Sequence, residues 1–138
     1  MAVQLSVAVR NARGDVLETT VGTSPKLRLY SGAQPANCAA VRTGTLVSEI
    51  ALPIDWLTVA SAGVKSLAGT WSGVGAAAAA AGTAVGHYAI MDSTGTTCHE
   101  QGSITVTGGG GDMTLDNVSI ASGQAVNVTA FSHTEPNA

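Results

Sequence analysis

The sequence predicts a mainly β protein: an antiparallel β-sandwich or jelly roll preceded by an N-terminal amphipathic α-helix. Three observations predict it. Apolar residues recur at three- and four-residue steps over the first twenty positions, then alternate with polar ones at every second position from Pro25 onward. Clusters of turn formers separate the alternating stretches. Residues 1–22 are therefore expected as a helix, within the same domain or as an arm, and residues 23–138 as the β-sandwich domain.

The helix is expected over about residues 4–20. Leu5, Ala8, Val9, Ala12, Val16 and Thr19 form its stripe, while Gln4, Arg10, Asn11, Arg13 and Glu18 lie mostly off it. Gly22 is a natural stop, and Gly14 costs about 1 kcal/mol against alanine inside a helix. Such a helix covers one sheet face or reaches an adjacent subunit.

Strands follow. Leu27 and Leu29 alternate with Lys26, Arg28 and Tyr30; Leu46, Ser48, Ile50 and Leu52 alternate with Thr45, Val47, Glu49 and Ala51. Ile104 and Val106 alternate with threonine and serine, and Val126, Val128 and Ala130 alternate with Asn127, Thr129 and Phe131. Pro53–Leu57 reads as a helical turn between strands. The alanine run Ala76–Ala81 is too short to persist as an isolated helix, and reads as a mobile loop or strand connection. The stretch from Val85 to Met91 is apolar on both faces, so its strand should be central or covered by a neighbouring chain.

Charge is scarce. Six Lys and Arg and nine Asp and Glu make up 11% of 138 residues, where about 25% is usual. With a net charge of −3, the chain lacks the clustered cations that a sequence-independent grip on nucleic acid requires. No basic start leads into an apolar stretch and cleavage site, so no secretory signal is expected, and no run is long enough to span a bilayer. Aromatic residues are 4% of the chain, which leaves Val, Leu, Ile and Ala to build the core.

Candidate chemistry is thin, and no catalytic, cofactor or metal site is expected. Cys38 and Cys98 can pair or remain buried thiols; without a secretion signal, reduced thiols are favoured. Together with His87 and His99 they offer four zinc ligands, but without the paired Cys-x-x-Cys or His-x₃-His spacing of a zinc site. A Cys98–His99 nucleophilic couple fails because strand neighbours point to opposite faces, and nothing selects His87 or His133 as the base. Asp112 and Asp116 beside Gly111 lack the alternating ligands of a calcium loop and read as turn stabilisers. The Gly108–Gly111 run has no following Lys-Ser/Thr pair to hold phosphate, so it lets the backbone swing between strands. Arg13-Gly14-Asp15 lies in the helical stretch instead of on a displayed loop. Asn117 and Asn127 head glycan-acceptor triplets that matter only on a secretory route.

The run from Lys26 to Cys38 (KLRLYSGAQPANC), then Thr70–Gly73 (TWSG), Asp92–His99 (DSTGTTCH) and Gly111–Asn117 (GDMTLDN) resemble small structural proteins of tailed bacteriophages. The resemblance covers most of the chain from Lys26 to Phe131. It implies a virion component without enzymatic activity, and hence no catalytic residues. The expected function is capsid decoration, or cement: a small subunit, assembled in the bacterial cytoplasm, that binds the major capsid protein and copies of itself, with no nucleic-acid or membrane partner. The alternative is a tail or fibre subunit that reads a host glycan with a stacking face of Trp56, Trp71 and Tyr88. Sparse charge fits either, because a surface this poor in ions is normal for a subunit buried among neighbours.

Overall fold

A computed structural model describes residues 3–136. The chain is mainly β, with one N-terminal helix and a curled mixed sheet. Helix α1 (Val7–Val21) starts at Ser6, whose hydroxyl accepts a hydrogen bond from the Val9 N–H at 3.2 Å. It ends at Gly22, whose φ of +88° suits glycine and whose N–H closes the last turn on the Glu18 carbonyl.

Among the described residues ten strands follow: β1 (Lys26–Tyr30), β2 (Leu46–Ala51), β3 (Val64–Ser66), β4 (Ser72–Val74), β5 (Thr83–Ala84), β6 (His87–Met91), β7 (Cys98–Val106), β8 (Met113–Leu115), β9 (Ser119–Ile120) and β10 (Ala125–Thr134). The main sheet runs β2-β1-β6-β7-β8-β10-β3, with β4 on β10, and β5 pairs with β9 apart from it. Long β10 joins β4 through its start and β3 through its end, with β8 on its other side. The sheet curls until its ends meet: Ser48 of β2 bridges Gly75, the Ser48 hydroxyl donates to the Val74 carbonyl at 2.7 Å, and the Ala76 N–H donates to the Val47 carbonyl. The edge of β2 is thereby covered, which removes an open template for strand addition.

The pairing departs from the expected antiparallel pattern at one place. β7 and β8 lie parallel, Ile104 opposite Met113, although only six residues separate them in sequence. The glycine run makes this short return possible. A Cβ at Gly109 or Gly111 would lie within 3 Å of Thr105, so the chain doubles back flat along β7 only where side chains are missing.

Alternation holds in β1, where Leu27 and Leu29 are fully buried. Two of the sheet's three register shifts turn a side chain inward out of phase. One between Leu29 and Tyr30 of β1 leaves Val47 opposite no partner, so Val47 and Ser48 are both buried. One in β10 skips Thr129 and turns Phe131 inward in place of Ala130. All five residues of β6 are buried between β1 and β7, the central position its sequence predicts.

One connection differs from expectation and another takes one of its two expected forms. Residues 53–57 form no helical turn; Leu57 bridges Leu67 and Trp56 points into the core. The alanine run is a strand connection carrying one 3₁₀ turn (Ala77–Ala79), with Ala79 fully buried.

The core fills the curl. Trp71 sits 6.0 Å from Trp56 and 5.2 Å from Phe131 between ring centroids, and Phe131 meets Tyr88 edge-on at 5.8 Å. Indole N–H groups are satisfied by backbone, Trp56 on the Gly22 carbonyl and Trp71 on the Ala68 carbonyl, both at 3.1 Å. Four of the five aromatic residues thus join the core shell of Leu27, Leu29, Ile50, Met113 and Leu115.

Candidate functional site

Helix α1 docks by a mixed face, apolar at Leu17 and Val21 and otherwise polar. Gly14, Leu17 and Val21 turn inward with Arg10, Asn11 and Glu18, whereas Val9 (45%) and Val16 (62%) are exposed with Ala8 and Ala12. The stripe that period alone would bury therefore faces out. The reason lies in β3 and the end of β10. Lys65 is almost wholly buried there, with its Nζ 2.7 Å from both Asp15 Oδ1 and Glu18 Oε2. Burial disfavours its charge, but the hydrogen bonds it donates to the two carboxylates outweigh that and leave its pKa raised. Its aliphatic stem runs under Gly14, where a Cβ would come within 3.3 Å of Cδ. Close approach to Lys65 accounts for a glycine that weakens the helix.

Further along, the Asn11 side-chain oxygen accepts from the Gly63 N–H, Arg10 donates to the Glu135 carbonyl at 2.9 Å, and Arg13 pairs with Glu135 Oε2 at 3.1 Å. Arg13, Gly14 and Asp15 are thus the helix anchor and not a displayed tripeptide. Lys65→Met keeps the stem and removes both ion pairs. It is expected to cost about 1–3 kcal/mol in a urea melt, and to loosen α1 before the sheet in hydrogen exchange.

A chain of polar groups continues from that anchor into an open cleft of about 610 Å³ lined by Tyr88, Glu100, Asp112 and His133. The Tyr88 hydroxyl donates to Glu100 Oε1 at 2.9 Å; His133 stands 3.6 Å from Glu100 Oε2 and 2.9 Å from Glu135 Oε1. Burial pushes the Glu100 carboxyl up, more than the Tyr88 hydrogen bond and His133 pull it down, and burial pushes the Tyr88 phenol up too. A carboxyl raised on folding adds stability below its unfolded value, near 4.5, and loses it as pH rises through the folded value. Glu100→Gln is therefore expected to be at least as stable as the parent at pH 7, and to lose that advantage on titration to pH 4. A variant less stable at both pH values would contradict the burial cost.

The cysteines and histidines considered as ligands or nucleophiles are engaged elsewhere. Cys38 and Cys98 form a disulfide with Cα atoms 5.5 Å apart, which corrects the expectation of reduced thiols and leaves no free thiol for a nucleophile. The disulfide pins the 31–45 loop over the outer face of β1, β6 and β7. There Arg42 lies 5.5 Å above Tyr30, Tyr30 stacks on His87, and Gln101 donates to the Pro35 carbonyl. His87 is buried beneath this loop with Nδ1 on the Gly32 carbonyl, and His99 is half-buried on β7. Among the described residues no group of three or more His, Cys, Asp or Glu could hold a metal ion.

Asp112 accepts from the Ser103 N–H and hydroxyl, at 2.9 and 2.8 Å. Asp116 accepts from the Asn127 amide side chain at 2.9 Å, which holds its carboxyl below the usual range. Both pin turns. Asn117 accepts from the Ser119 N–H. Trp56, Trp71 and Tyr88, the candidate glycan-stacking face, are at most 2% exposed, so that face does not exist in the folded chain.

Sequence reasoning missed the polar anchor, because no local pattern signals that Lys65 will be buried under a helix fifty residues away. Every cation is now accounted for: Arg10, Arg13, Lys26, Arg28, Arg42 and Lys65 each have a partner within the fold. Among the described residues no helix is long and apolar enough to cross a membrane. Compared with known protein families, curated proteins and solved structures, the chain matches none.

Proposed function

We propose that the protein is a non-enzymatic virion structural subunit of a tailed bacteriophage, a capsid decoration or cement protein that binds and stabilises the major capsid shell. The observation that carries the reading is the outward apolar face of α1, where exposed Val9 and Val16 line up with exposed Ala8 and Ala12. An apolar row left in water by a helix whose opposite face is already docked marks a surface to be covered. The surrounding surface supports it, since all six cations are held within the fold. Flat contacts then form without stripping water from ions. The disulfide fits a particle that leaves the reducing cytoplasm, as disulfides persist on virion surfaces. In this reading the curled sheet serves as the compact sandwich-type body, and many modest contacts across shell seams add through multivalency.

Counting copies in purified particles tests the proposal. Hundreds of copies on the head are expected; a handful at the tail tip, or none, contradicts it. The glycan-reading alternative loses its support with the burial of Trp56, Trp71 and Tyr88.

A further inference from the structure

We infer that the groove between the C-terminal half of α1 and the segment following β2 binds an aliphatic segment of another protein flanked by Lys or Arg. The inference rests on the assembly reading above and names the partner chemistry at one face. The groove has a volume of about 560 Å³; Thr19, Gly22 and Ile54 line it together with Asp15, Glu18 and Asp55, the acidic residues of its rim. Ile54 is 73% exposed, a large aliphatic side chain with nothing over it. Covering it rewards an aliphatic partner by roughly 25 cal/mol for each Å² removed from water.

The rim selects the flanks. Lys65 lies beneath Asp15 and Glu18 and neutralises one of their charges, and Asp55 adds another, so the rim keeps two negative charges. Arg13, the next cation along α1, is turned away onto Glu135. A second copy of the chain cannot meet this rim. Its six cations are all engaged in their own fold, and it would bring carboxylates against carboxylates. A partner carrying its own Lys or Arg on either side of a Leu, Ile or Val can.

The test is an amide-resolved titration of the intact protein with two end-blocked tetrapeptides, Lys-Leu-Ile-Lys and Glu-Leu-Ile-Glu. Saturable shifts at Thr19, Gly22, Ile54 and Asp55 are expected with the basic peptide alone, weakened roughly five-fold in 0.5 M salt because exposed charges are then screened. Ile54→Lys is expected to weaken binding about ten-fold, the magnitude of one lost aliphatic contact and one like charge, with the amide spectrum outside the groove unchanged. Val41→Lys, on the disulfide-pinned loop, should leave binding intact. Equal response to both peptides, no response, or concentration-dependent shifts at these amides without peptide would overturn the inference, the last by placing a second copy in the groove. Location on the particle is a separate readout. Groove binding by a subunit found only on the tail sinks the decoration reading alone, and a head-bound subunit with an inert groove sinks the groove alone.

Discussion

Replacing Cys38 and Cys98 together by serine is expected to lower the free energy of unfolding by about 4 kcal/mol, the loop-closure entropy of cross-linking residues 60 apart. The bond ties the start of β7 to a loop with little regular structure of its own, so the loss falls first on residues 31–45. Arg42 should then leave Tyr30, and the outer side of His87 should open to solvent. Urea unfolding of the parent in oxidising and reducing buffer gives the same comparison without mutation. A midpoint that ignores the reductant while the thiols titrate as free would show that the loop is held by its hydrogen bonds alone.

Trp71→Ala is expected to cost about 3–5 kcal/mol, the range for deleting a large aromatic side chain from a packed interior. Trp71 stands between Trp56 and Phe131, so truncation leaves a void with rings on both sides. It also removes an N–H that satisfies the Ala68 carbonyl. Trp71→Phe should recover more than half of the loss by refilling most of the volume. This pair separates core from receptor face: a surface stacking residue would tolerate alanine within about 0.5 kcal/mol.

Strand content was legible because burial and polarity alternate wherever one face is wet, as in β1, and because β6 is apolar throughout and can lie only between other strands. The bulges at Val47 and Thr129 were not, since one extra residue shifts the inward phase without leaving a mark in composition. The parallel return of β8 depends on Gly109 and Gly111 lying against Thr105, a contact that a glycine run permits without announcing it. At the candidate site, the stripe on α1 could be read but not its direction. Local period shows that a face is apolar; only the distant Lys65, Glu135 and Gly63 decide which face the body takes. The Cys38–Cys98 bond escaped for the same reason, as proximity across 60 residues is a property of the fold.

The central claim is that the outward valine row of α1 exists to be covered by the particle. The direct measurement is binding of the parent and of a Val9→Lys/Val16→Lys variant to purified heads stripped of this subunit, with urea midpoints taken alongside. Unchanged midpoints with loss of head binding are the expected result. Binding that survives both lysines, or a midpoint that falls in step with it, would contradict the account.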